Sequence, residues 1–118
     1  MANLGSMLLE KFTGFADAPA LDDLSGALTY RALSRAALNV ERTLRNERLV
    51  ADEPVLVPVA NEARDAAALI GVWLAGGVAV PVARHAPASA IELVRAATGA
   101  RFSITNAADE LEIGRAHV

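Results

Sequence analysis

No cysteine occurs in these 118 residues. That excludes a disulfide scaffold, a zinc ribbon, a redox dithiol and any thiolate nucleophile. It is compatible with the cytoplasm, which is the expected location. Lysine is almost as scarce: Lys11 is the only one, and every other basic residue is an arginine. The only histidines are His85 and His117. A mechanism built on a buried lysine, or on two histidines close in sequence, has no material here. Charge of one sign is also lacking. The formal net charge of −3 excludes a strongly cationic nucleic-acid binder, and no nucleic-acid partner is expected. A basic start followed by an apolar run is absent, so no secretory signal is read.

What is present is apolar mass. Hydrophobic residues make up 53% and charged residues 21%, which excludes a disordered tail. The length fits one domain or part of one. Leu8 to Phe15 reads as a short helix, with Leu8, Leu9, Phe12 and Phe15 apolar. Ala18 to Leu21 and Ala27 to Thr29 read as two strands of a small hairpin. The Asp22 to Gly26 segment between them supplies turn chemistry. Thr29 then N-caps a helix from Tyr30 to about Glu47. Leu33, Ala37, Val40 and Leu44 recur on one face of it. Arg31, Arg35, Arg42 and Arg45 fall on the other, with Glu41 four residues before Arg45, the favourable order for an ion pair. This arginine stripe reads first as a solvated face, because Leu38 interrupts it and glutamates flank it. An acidic partner or nucleic acid is the alternative.

Val55 to Val59 is a continuous β-branched run after Glu53-Pro54, the pattern of a strand buried on both faces of a parallel sheet. Asn61 is expected to N-cap the next helix, Glu62 to Ala75, with Glu62 favoured by the helix dipole. After Asp65 this helix is apolar all round, which predicts burial in a larger body. Gly76-Gly77 stops it. Val78 to Val82 predicts a second buried strand. Pro87 opens a helix with Ile91, Leu93, Val94 and Ala97 on its apolar side, and Gly99 is its C-cap. Arg101 to Thr105 alternates and makes a third strand. The order is a parallel βαβαβ unit of about three strands, behind an N-terminal helix and small hairpin. Ala66 to Ala83 is uncharged and nearly long enough to span a bilayer. Gly76-Gly77 and Pro81 divide it, and flanking arginine clusters are missing, so no membrane span is expected.

Chemical motifs are few. No Gly-x-x-x-x-Gly-Lys-Ser/Thr loop occurs. Gly76-Gly77 follows a helix and precedes a strand, the wrong order for a dinucleotide fingerprint. No histidine pair has metal-ligand spacing, so no metal site is expected. Arg84 and His85 lie just past the carboxyl end of a strand, where α/β folds place ligands. Asn61 could line the same crevice. These three are the weak crevice candidates, each beside a plainer reading: Asn61 as a helix cap, and His85 as a solvated loop histidine. Trp73 reads as core rather than as a ligand platform.

Four segments carry a resemblance. Leu28-Thr29-Tyr30-Arg31-Ala32-Leu33 resembles the "LTYxEL" opening of adenylate-forming enzymes: acyl-CoA synthetases, aryl-CoA ligases and peptide-synthetase adenylation domains. Pro54 to Glu62 is similar to their "DRVAVLLPNSPE". Ala67 to Val82 is similar to "ALLGVLKAGAVYVPLDP", and Gly99 to Thr105 to "SGARVLIT". The resemblance covers about Ala18 to Asn106, with the four segments in the right order. There are departures. Leu49 to Glu53 lacks the usual glycine, Ala60 replaces a frequent proline, Leu74 replaces a lysine, and Ala83-Arg84-His85-Ala86-Pro87 replaces an acidic turn.

The resemblance implies the first part of a larger N-terminal domain, in an enzyme that activates a small-molecule carboxylic acid. ATP and magnesium would form an acyl-adenylate, and CoA would usually accept the acyl group. The family's phosphate loop, nucleotide contacts and late lysine have no counterpart in these residues. No catalytic, cofactor or metal residue is therefore assigned, and the segment alone is expected to bind no cofactor and to be inactive. Residues 1–111 are expected to form a partial N-terminal subdomain. Ile113 to Val118, with Glu112, resembles a translated sequencing adapter. Residues 112–118 are accordingly expected to be a non-native tail, which removes His117 from consideration. The rest of the parent chain is expected to be needed to cover the apolar face of the Ala66 to Ala75 helix. A small stand-alone α/β interaction or ligand-binding module is the alternative.

Overall fold

The computed structural model describes residues 3–23, 26–60, 62–107 and 110–115. Helix α1 (Leu4–Phe12) is followed by a 3-10 turn (Thr13–Phe15). It starts earlier than its apolar pattern predicts, because Asn3 caps it by accepting from the Ser6 N–H at 2.9 Å. Strands β1 (Pro19–Asp23) and β2 (Gly26–Thr29) form an antiparallel hairpin. Of the predicted turn between them, residues 24 and 25 lie outside the described residues.

Thr29 caps α2 (Tyr30–Asn46) as its sequence position predicts, accepting from the Ala32 N–H at 3.1 Å. Leu33, Ala37, Val40 and Leu44 are all buried on one face. That face packs on α3 (Ala63–Leu74), and the two helices approach closely at Gly71. A Cβ on Gly71 would lie 2.8 Å from the Ala37 carbonyl oxygen and against Val40.

Strands β3 (Pro54–Val59), β4 (Val78–Ala83), β5 (Phe102–Ala107) and β6 (Glu110–Arg115) form one sheet in the order β4-β3-β5-β6. The β4-β3-β5 part is parallel, as predicted. β6 adds antiparallel to β5. Residues 112–115, expected to belong to a non-native tail, thus continue the sheet. Residues 116–118, His117 among them, lie outside the described residues.

Alternation along the strands sorts the core into layers. Val55, Val57, Phe102 and Ile104 pack under Val40, Leu44, Ala68 and Val72 of α2 and α3. Leu56 and Val82 pack with Ala100 on the opposite face, against Ile91 and Val94 of α4 (Ala88–Thr98). Burying each large apolar side chain stabilises by roughly 1.5–3 kcal/mol, so the α2–α3 layer dominates. Gly99 ends α4 at φ 73°, donating to the Arg95 carbonyl at 2.8 Å.

Four expectations are corrected. The α3 cap is Glu62, one residue later than predicted, because Asp65 reaches back to the Glu62 N–H at 2.9 Å in a capping-box arrangement. Asn61, the predicted cap, lies outside the described residues. β4 is not buried on both faces: it is an edge strand with only Val82 buried. Leu93 is 73% exposed rather than on the packed side of α4.

The apolar α3 face, finally, is covered within this chain. Ala67, Ala68, Ile70, Val72 and Leu74 are buried under α1, α2 and the sheet, and Trp73 is half-buried against the same cluster. The carbonyls that end the helix are met as well: Trp73 accepts from Asn3 Nδ2 at 2.6 Å and Leu74 from Arg45 Nη2 at 2.9 Å. Among the described residues, no helix is long and apolar enough to cross a membrane.

Candidate functional site

Parallel pairing of β3 with β4 runs to Val59 opposite Ala83. The two strands therefore deliver their carboxyl-end turns side by side, and the Arg84 N–H extends the ladder to the Val59 carbonyl at 2.9 Å. The turn after β3 leads into α3. The turn after β4 carries Arg84 and His85.

Asp65, only 7% exposed, organises this end of the sheet. Its Oδ2 accepts from the Ala60 N–H at 2.8 Å and the Glu62 N–H at 2.9 Å. Its Oδ1 accepts from Arg84 Nη2 at 2.7 Å. Arg84 Nη1 reaches Glu62 Oε1 at 2.9 Å, and Glu62 Oε2 accepts from Arg64 Nε at 2.7 Å. Arg84 Nη2 also lies 3.5 Å from the Pro58 carbonyl oxygen. The hydrogen bonds from Arg64 and then Arg84 hold the Glu62 carboxyl below its ordinary range, against a smaller opposing effect of burial.

The structure thus brings Arg84 into a largely buried ion cluster. Its Nε is buried without a hydrogen-bond partner among the described residues. His85 is not drawn in; it stands exposed in the turn. Asn61 lies outside the described residues. Sequence reasoning missed Glu62 and Asp65 as members of this group. The available signal was their three-residue spacing at a helix start, the spacing of a capping box.

Chemically, the cluster ties the turns after β3 and β4 together rather than presenting a free reactive group. Its carboxylates already accept from guanidinium and amide donors. No group of three or more His, Asp or Glu side chains is placed to hold a metal ion among the described residues. No step through a nucleotide or magnesium is derived from these residues.

Three of the four motif segments run through the parallel strands and α3, and the fourth spans β2 and the start of α2, an arrangement that invites comparison with known proteins. The family described as "AMP-binding enzyme" matches residues 8–117. The chain belongs to the AMP-binding enzyme family. A plipastatin synthase polypeptide of Bacillus subtilis (strain 168) is 38% identical over 78 residues, which cover 66% of this chain and 2% of that protein. The AMPPNP-bound crystal structure of the nonribosomal peptide synthetase FmoA3 superposes with a TM-score of 0.80 at 25% identity, over 86% of this chain and 11% of that one. A benzoate CoA ligase from Burkholderia xenovorans LB400 shares the fold, with a TM-score of 0.80 at 21% identity, over 87% of this chain and 21% of that one. The chain therefore spans a small fraction of these relatives' length.

Proposed function

We propose that this chain is the opening wall of the large N-terminal domain of an ATP-dependent, carboxylate-activating ligase, acting in the cytoplasm. The observation that carries the reading is the family match over residues 8–117, laid on the β4-β3-β5 parallel sheet. With magnesium as cofactor, the complete enzyme would convert a small carboxylic acid and ATP to an acyl-adenylate and pyrophosphate. It then passes the acyl group to a thiol, usually that of CoA. Donors that stabilise the charge developing on the phosphates come from later segments; the residues present build and brace the sheet that positions those segments. Among the described residues, Glu62 and Asp65 at the carboxyl ends of β3 and β4 are engaged by Arg64, Arg84 and backbone amides, which supports a scaffolding role.

The test is ATP–pyrophosphate exchange on the complete native polypeptide containing these residues, offered amino, aryl and fatty acids in turn. Exchange dependent on one acid class is expected, with none from the 118-residue chain alone. A complete polypeptide that exchanges with no carboxylic acid, or a 118-residue chain that does, would overturn the reading.

A further inference from the structure

The arginine stripe of α2 does not meet open solvent along its whole length. The end of α1 and the turn after it run beside it and close a groove of about 420 Å³. Phe12 forms one wall; Leu38, Asn39, Arg31, Arg35 and Arg42 form the other. This is the face of α2 opposite Leu33, Ala37, Val40 and Leu44, so it points away from the sheet and from the crevice at the ends of β3 and β4.

The charge of the groove runs against that of the molecule. The chain carries a net −3, yet among the described residues three arginines and no acid line the groove. Arg31 pairs with Asp17 at 3.0 Å, but both side chains are largely exposed, and such a pair contributes little. Arg35 and Arg42 are exposed and make no ion pair with another described residue. Between them sits Leu38, 38% exposed.

Spacing defines the complement. Arg31 and Arg35 are one turn apart. Arg35 and Arg42 are two turns apart, a rise of about 10.5 Å. A second helix laid along α2 meets this row with carboxylates repeated at one- and two-turn intervals, and places an apolar side chain on Leu38 and Phe12. A nucleic acid is the poorer complement. Its binding rests on many phosphates neutralised together, which three arginines on an acidic chain do not provide, and Leu38 offers a phosphate nothing.

We propose that the groove between α2 and the end of α1 docks an acidic, amphipathic helical segment of a partner protein, with Arg35 and Arg42 as its charged anchors and Leu38 as its apolar one. The proposal stands independently of the ligase reading, since it uses none of the residues at the carboxyl end of the sheet.

The probe is a short fluorescein-labelled helical peptide with glutamates and leucines at these intervals, read by fluorescence anisotropy on the 118-residue chain. Two comparison probes are the same peptide with glutamine for glutamate and a labelled single-stranded oligothymidylate. The glutamate peptide is expected to bind saturably, and more weakly as sodium chloride is raised. Arg35→Gln and Arg42→Gln should each weaken it about three-fold, the size of one exposed charge pair. Arg48→Gln, which removes the same charge outside the groove, should leave it unchanged. Equal binding of the glutamine peptide, tighter binding of the oligonucleotide, equal loss in Arg48→Gln, or no saturable binding would each overturn the proposal. Circular dichroism of each variant confirms that the helices persist.

Discussion

Arg84, one residue past β4, and Asp65, in the first turn of α3, form a 2.7 Å ion pair with side chains only 20% and 9% exposed. The pair ties the turn after β4 to the turn after β3. It does so through a carboxylate that also holds the Ala60 and Glu62 amides. The two residues are not equivalent. Asp65 satisfies three donors at once, whereas Arg84 is one of two guanidiniums in the group.

Removing Asp65 should therefore cost more than removing Arg84. Asp65→Ala leaves the Arg84 guanidinium with Glu62 as its remaining carboxylate and frees two backbone donors, each costing about 1–3 kcal/mol where it is left unsatisfied. Arg84→Ala leaves Asp65 still bonded to two amides, a loss of about 1–3 kcal/mol. Urea denaturation of the two variants checks the order. Equal losses, or a larger loss for Arg84→Ala, would show that Asp65 does not organise the turn.

Gly71 predicts a second asymmetry. A methyl group there meets Val40 Cγ1 at 2.6 Å and the Ala37 carbonyl oxygen at 2.8 Å. The carbonyl belongs to helix backbone, so α2 itself must move. Gly71→Ala should destabilise by about 1–3 kcal/mol through overpacking. Gly14 has nothing within 4 Å of the same position. Gly14→Ala should be neutral or should stabilise by up to about 1 kcal/mol, through the entropy of the unfolded chain. Thermal melts of the two variants should move in opposite directions or differ clearly in size; matching losses would refute the close approach of α2 and α3.

A third expectation concerns Thr29, whose hydroxyl oxygen accepts from the Ala32 N–H. Thr29→Ala should cost about 1 kcal/mol, and Thr29→Ser should recover most of it. If serine does not restore the melting temperature, the methyl group rather than the cap is what matters.

These residues also mark what the sequence discloses. Thr29 and the buried face of α2 are legible because capping and amphipathic spacing are local. The parallel βαβαβ order is legible because short joints and β-branched runs leave few other solutions. The edge position of β4 is not, since an apolar run looks the same at an edge as at a centre, and strand order is decided by distant partners. Arg84 can be placed at the end of a strand but not paired, because Asp65 lies 19 residues away and meets it only through the β3–β4 register. The same holds for the groove along α2: its arginines are visible in the sequence, but the wall supplied by Phe12 is a tertiary fact.

The last prediction concerns acid. Glu53 sits at the entry to β3 and accepts two hydrogen bonds from Arg101, at 2.5 and 2.8 Å, and one from the Val50 N–H at 2.9 Å. The Arg101 bonds hold its carboxyl below the ordinary 4.5, with burial opposing and the Val50 amide assisting. Glu62 is lowered in the same direction by Arg64 and Arg84. A carboxyl whose folded value lies below its unfolded one adds stability that is fully present above the unfolded value. That stability is lost as pH falls through the folded value. The melting temperature should thus be level above the ordinary 4.5 with respect to these two groups and fall below it. Glu53→Gln keeps an acceptor for Val50 but no charge for Arg101. It should lower the neutral-pH melting temperature and make the acid limb shallower, because the contribution of the lowered Glu53 carboxyl is gone. An acid limb of unchanged slope in Glu53→Gln would mean that the contact between Glu53 and Arg101, which joins residues 48 apart, contributes nothing to holding β5 against β3.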